Sequence, residues 1–286
     1  MSDMGASSLM TAFTGHFLAL PPLLLYILAK KGTAGLKISK KGLLYSILLG
    51  VLTKGIFKLS LDTSMTLVGV ATSTILMYLA PVWTAIMAMI FFKEKLRGYQ
   101  KFALVLNLIG CVLMVTGGNF TKLNISGLGL ALGLAAGFLY GLSTILGKVG
   151  TSEDDSMTMA FYMFLFSSIT TAIFAKPWEH IGLFSKGKFL LWALAGAGLS
   201  GTLANVLFFK GLSMGIDASK TTIVASIEVV VATVAGVFLL NEQINLVGYI
   251  GIVIMLASIV LMNINVPISK ESTVKQRISV KEIEEY

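Results

Sequence analysis

The second half of this chain repeats the first at a fixed offset. Tyr78-Leu79-Ala80-Pro81-Val82 runs on to Phe91-Phe92-Lys93-Glu94-Lys95-Leu96, and Ala225-Ser226-Ile227-Glu228-Val229 runs on to Leu239-Leu240-Asn241-Glu242-Gln243-Ile244. Glu94 and Glu242 end similar apolar runs and stand 148 residues apart. The same offset pairs Val105 with Val253, Leu108 with Leu256, Leu113 with Leu261 and Met114 with Met262. An apolar stretch at 126–149 opens the second copy, and its counterpart would fall before Met1. The second copy therefore has five apolar segments and the first has four.

Composition decides what those segments are. The 286 residues are 56% hydrophobic and 13% charged, whereas a soluble domain carries about 25% charged residues. The segments run about 19 to 28 residues, long enough to cross a bilayer as helices. The expectation is an all-α polytopic membrane protein with spans near 5–29, 42–60, 65–92, 99–117, 126–149, 156–175, 188–209, 217–240 and 246–265. A β-barrel would instead show alternating ten-residue segments. The first segment is too long for a signal-peptide core and lacks a basic residue before it, so it reads as a permanent span. The tail from about 266 is polar and charged.

The net charge of +8 raises the question of nucleic acid, and its distribution answers it. One set of connections holds 16 Lys and Arg residues, among them Lys30, Lys31, Lys93, Arg97, Lys148 and the tail; the alternate set holds 4. Lys54 and Lys58 lie within a span. By the positive-inside rule the richer set is cytoplasmic, so the charge is an orientation signal beside anionic lipid rather than a nucleic-acid patch. With nine spans Met1 is expected outside and the C-terminus inside. A five-span unit crosses an odd number of times, so tandem copies insert with opposite topology. Inverted repeats of this kind are a hallmark of secondary transporters, with the substrate site near the midplane between them.

The residues that carry the repeat also carry a resemblance. Leu79-Ala80-Pro81-Val82 through Glu94, followed by Asn107-Leu108-Ile109-Gly110, and in the second copy Ile227-Glu228-Val229 through Glu242, followed by Gly248-Tyr249-Ile250-Gly251, resemble the drug/metabolite transporter superfamily, EamA type. The resemblance implies two five-helix inverted repeats and a central cavity lined partly by the first helix of each. It divides the chain into a first repeat at 1–117 lacking its first helix, a linker at 118–125, a second repeat at 126–265 and a cytoplasmic tail at 266–286. Val229 stands where the family often has Pro.

Ionisable residues inside spans are costly and usually face a cavity or a partner. Lys54 lies about 20 Å and Glu228 roughly 16 Å from the cytoplasmic ends of their spans at 1.5 Å per residue. They are candidates for a midplane Lys–Glu pair broken by substrate or protons, or for a fixed ion pair. Lys58 precedes Asp62 by four residues, which suits a local helical pair. His16 sits mid-span and suits an anionic substrate or a satisfied buried histidine. Tyr78, Tyr140, Ser143, Asn205 and Ser226 are polar groups on the spans expected to line the cavity, usable for substrate or for helix–helix contacts. Gly129, Gly133, Gly137 and Gly141 form a ridge for close helix approach, drifting about 40° per step. Gly196, Gly198 and Gly201 extend the same pattern to a later span. Glu94 and Glu242 read as helix-end residues that fix repeat geometry.

No Gly-rich phosphate loop implies ATP use, and two histidines and one cysteine on separate spans argue against a metal site. No cofactor is expected. The leading function is a secondary-active exporter or exchanger of small metabolites or drugs in the plasma or inner membrane. The alternative is an inactive or partner-dependent transporter-like subunit. A membrane enzyme on lipid-linked substrates would need clustered carboxylates, His or Arg at one face, which the sequence lacks. The expected partners are a small-molecule substrate and the lipid bilayer, with a homodimer as one oligomeric option, and no nucleic acid.

Overall fold

The computed structural model describes residues 6–122, 126–184, 187–195, 201–228, 230–231 and 244–264. The described residues are helices and short connections: α1 (Ser8–Lys31), α2 (Lys40–Leu48), a π-helical segment (Leu49–Ile56), α3 (Phe57–Met77), α4 (Ala80–Phe91), α5 (Gly98–Thr116), α6 (Gly127–Glu153), α7 (Ser156–Ala175), α8 (Gly187–Trp192), α9 (Gly201–Ser213), α10 (Ala218–Ala225) and α11 (Leu246–Asn263). Among the described residues, six stretches are long and apolar enough to cross a membrane. The calls on Gly196, Gly198, Val229, Glu242, the tail and parts of the spans at 188–209 and 217–240 lie outside the described residues.

Local chemistry sets the helix ends. Ser7 accepts from the Met10 amide at the start of α1, and Gly32 at φ 61° ends it. Asp155 caps α7 by accepting from the Met157 and Thr158 amides, and Asn245 caps α11 by accepting from Gly248. These groups satisfy amide donors that a helix start leaves free. Pro21 and Pro22 lie inside α1, which runs on through both.

The 148-residue offset reappears as paired elements. α1 and α7 begin at Ser8 and Ser156, and α5 and α11 begin at Gly98 and Leu246. Each pair packs together. Between α5 and α11 the contact is tight enough to require glycine. A Cβ on Gly251 would meet the Met114 amide nitrogen at 2.5 Å and the Gly110 carbonyl oxygen at 2.7 Å. The α6 ridge also packs closely: Gly129 faces Val68, Gly133 faces Leu76, Gly137 faces the Leu76 carbonyl, and a Cβ on Gly141 would meet the Ala80 carbonyl oxygen at 2.9 Å. A buried apolar cluster of Ala19, Leu23, Leu49, Met159, Met163 and Phe209 joins α1, the π segment, α7 and α9.

The structure corrects one span boundary. Hydropathy places the turn between the second and third spans at 61–64, at Asp62. The chain remains helical there and turns at Gly69, whose φ of 83° and ψ of 162° are open to glycine and strained for other residues. Ser64 and Ser73 hydroxyls lie 2.8 Å apart, although nine residues of straight helix rise about 13.5 Å. Asp62 stays helical because Lys58 pairs with it at 2.7 Å. The third span is itself interrupted: α3 ends at Met77, Tyr78 and Leu79 form a turn, and α4 restarts with Pro81 in its first turn. Pro is favoured there because it lacks an amide proton the first turn does not use.

One end of the bundle is drawn together by charge. Lys31 meets Asp155 at 2.7 Å, the Ser39 hydroxyl donates to Asp154 at 2.6 Å and Lys148 meets Glu94 at 2.9 Å. These are connections from the Lys/Arg-rich set, so this end is cytoplasmic by the positive-inside rule.

Candidate substrate cavity

A cavity of about 270 Å³ opens in the opposite half of the bundle. Its wall comes from α1 (Ser8, Thr11, Ala12, Gly15, His16), α3 (Lys58), α7 (Phe164) and α9 (Gly201, Asn205). Its lining includes Ser8 and Thr11 in the first turn of α1, the end of that helix opposite Lys31, so it faces the non-cytoplasmic side.

Lys54 meets this cavity through Asn205. Its Nζ donates to Asn205 Oδ1 at 2.8 Å, and Asn205 Nδ2 donates to the Gly201 carbonyl at 2.9 Å. Lys54 lies in the π segment, a helix widening that recurs at functional sites. His16 Nδ1 shares a 2.6 Å hydrogen bond with Ser167 Oγ, and the tautomer sets its direction. Its ring lies 5.9 Å from that of Phe164. Lys58 is neutralised locally by Asp62, which also accepts from Ser8 Oγ at 3.3 Å.

Glu228 stands on the other side of Phe57. Its Oε2 accepts from the Tyr140 hydroxyl at 3.1 Å, and the Tyr140 ring stacks on Phe57 with centroids 5.6 Å apart. Lys54 and Glu228 form no contact ion pair among the described residues. Lys54 and the exposed Glu228 thus each hold a neutral partner.

The remaining sequence candidates separate from this pair. Tyr78 is packed with Cys111, Val230, Ile252 and Met255, within electrostatic reach of Glu228 and Tyr140. Ser143 donates to the Tyr140 carbonyl on its own helix at 2.6 Å. Ser226 is buried, donates to the Ile223 carbonyl at 2.6 Å and accepts from Asn107 Nδ2 at 2.9 Å. Asn107 also donates to Ser258 Oγ at 3.1 Å, joining α5, α10 and α11. Sequence reasoning quoted Asn107 only as part of a motif. A lone amide inside an apolar span was the signal that marked it.

Sequence reasoning also missed the reach of Glu94. One oxygen accepts from Lys148 Nζ and the Ala218 amide, both at 2.9 Å, and the other accepts from Ser219 Oγ at 2.8 Å. Burial alone would raise its carboxyl, but the hydrogen bonds from Lys148, Ala218 and Ser219 outweigh it and hold the group below its ordinary value. A carboxylate at the start of α10 also suits the positive end of a helix. Glu94 therefore ties the end of α4 to α6 and α10. No group of three or more His, Cys, Asp or Glu able to hold a metal occurs among the described residues.

Comparison with known proteins bears on this arrangement. A model of the EamA-like transporter family matches residues 2–116 and 127–264. An uncharacterized inner membrane transporter of Salmonella typhimurium, YicL, is 26% identical over 230 residues, covering 78% of this chain and 72% of that protein. An uncharacterized transporter of Archaeoglobus fulgidus is 26% identical over 192 residues, covering 67% and 66%. An S-adenosylmethionine uptake transporter of Rickettsia conorii is 27% identical over 178 residues, 62% of this chain and 58% of that protein. A solved crystal structure of another protein superposes with a TM-score of 0.70 at 14% identity, covering 92% of this chain and 89% of that one; the likeness is one of fold.

Proposed function

This chain belongs to the EamA-like transporter family, a multi-pass inner-membrane protein and not an enzyme, and we propose that it is a secondary-active carrier exporting or exchanging small metabolites or drugs by alternating access. The observation that carries this reading is the asymmetry of the bundle. The cavity opens between α1, α3, α7 and α9 on the outer side, while Glu94 bridges α6 and α10 on the cytoplasmic side. Such a state is one of the two that rocking of inverted repeats would exchange. Interrupted helices support the same reading. α3 and α10 both break at equivalent positions, Tyr78 and Ser226, and discontinuous helices are a feature of transporter binding sites.

In this mechanism Glu228 carries the proton that couples transport to a pH gradient, and Tyr140 holds its carboxylate in place. Purified protein in proteoliposomes under an imposed pH gradient, supplied with the protein-free small-molecule fraction of a bacterial lysate, tests the proposal. The expected result is accumulation of specific compounds above that in protein-free liposomes, identified by mass spectrometry. Glu228→Gln is expected to abolish gradient-driven accumulation and leave the melting temperature intact. Full gradient-driven activity in Glu228→Gln removes the coupling role. No accumulation by the wild type contradicts the carrier and favours the partner-dependent subunit.

A further inference from the structure

We infer that the transported molecule carries an anionic group, of the carboxylate or phosphate kind, and that Lys54, with Asn205 and His16, receives it. This rests on the carrier reading above and names its substrate class.

Donors gather at the cavity wall and directly behind it: Asn205 and His16 line it, and Lys54 stands behind Asn205. Lys54 has three N–H groups, and Asn205 Oδ1 takes one of them. Asn205 commits one amide hydrogen to the Gly201 carbonyl and retains the other. His16 shares Nδ1 with Ser167, and in the tautomer that accepts the serine proton its Nε2 carries a hydrogen to donate. The nearby acid, Asp62, pairs through Oδ1 with Lys58 and Ser8, and its Oδ2 is buried without a hydrogen-bond partner. Lys58 therefore brings no net charge, and Lys54 does.

A cation inside a membrane protein needs compensation. Within ion-pair distance Lys54 has none among the described residues; its hydrogen-bond partner is a neutral amide. Glu228 balances it only from beyond contact distance, with Tyr140 occupying that carboxylate. A substrate anion entering from the outer mouth would supply the direct partner. Charge-assisted hydrogen bonds of this kind are about twice as strong as neutral ones. Ala12, Gly15 and Phe164 form an apolar wall beside these donors, so the anion is borne on a small organic body. A volume of about 270 Å³ sits at the lower edge of small-molecule sites.

The test compares wild type, Lys54→Met and Lys54→Arg in proteoliposomes supplied with the same small-molecule fraction. Accumulated compounds are identified by mass spectrometry, and the melting temperature of each variant is recorded. The expected result is that the wild-type compounds carry a carboxylate or phosphate. Lys54→Met is expected to accumulate them at least tenfold less, with Lys54→Arg recovering part of the loss. The inference is overturned if the wild type accumulates compounds without an anionic group, or if a folded Lys54→Met keeps wild-type levels. If Lys54→Met does not fold, the comparison is made on wild type alone, by offering each accumulated acid against its amide; equal transport of the amide overturns the inference. Absence of any wild-type accumulation instead contradicts the carrier reading.

Discussion

Tyr78 and Ser226 occupy the same position in the two halves of the chain, 148 residues apart, and each is the C-cap of a helix that breaks there. The breaks leave backbone groups beyond the regular ladder, where hydrogen bonds must come from elsewhere. At Ser226 the side chain bonds the Ile223 carbonyl and accepts from Asn107. At Tyr78 the chain restarts at once on Pro81. The broken helices thus belong to the architecture of both repeats, and Glu228 lies just beyond one break.

Gly69 is expected to be intolerant of a side chain. Its φ of 83° would cost another residue about 1–2 kcal/mol. Gly69→Ala should lower the melting temperature in detergent. Gly98→Ala is the control, because a Cβ there meets nothing within 4 Å, and its stability should be unchanged or slightly raised.

The α5–α11 contact makes a second prediction. Gly251→Ala places a methyl against the Met114 and Gly110 backbones, which cannot yield as a flexible side chain would. A loss of about 1–3 kcal/mol is expected from overpacking. Unfolding in mixed detergent should show it, with Gly127→Ala, where a Cβ meets open space, unaffected.

The cytoplasmic tie should fail in acid. The Glu94 carboxyl is held below its ordinary value in the folded protein, so ionised Glu94 stabilises the fold. That contribution is full above the ordinary carboxylate range and is lost as pH falls through the lowered value. Glu94→Gln should remove about 2 kcal/mol at neutral pH, the scale of a hydrogen bond to a charged group. It should also flatten the acid limb of the stability profile, as melting measured across pH 3 to 7 would detect.

The helical, membrane-spanning class was legible because long apolar runs are a local property that a bilayer imposes directly. The turn at Gly69 was not, because Asp62 drew attention as the polar residue. Its charge is absorbed by Lys58 one turn away, and the conformational need falls on a glycine. The break at Tyr78–Leu79 lies in an unbroken apolar run, with only Pro81 to signal it. The candidate residues Lys54, Glu228, His16 and Asn205 were identifiable as polar groups in spans. Their partners were not, since Lys54 finds Asn205 across 151 residues and His16 finds Ser167 across 151. Glu94 was legible as a helix end, but its hold on Ala218 and Ser219 depends on how α10 packs.

Alternating access around this cavity is tested most directly by side-specific labelling of Ala12→Cys in a Cys111→Ala background, with and without Glu94→Gln. A membrane-impermeant maleimide is applied to either face of oriented vesicles. With Glu94 present, the cysteine at the cavity wall should label from the outside and resist reagent from the cytoplasmic side. With Glu94→Gln, outside labelling should fall and cytoplasmic labelling should appear. Outside labelling unchanged by Glu94→Gln, or labelling of the parent only from the cytoplasmic face, would contradict a cavity gated by this tie.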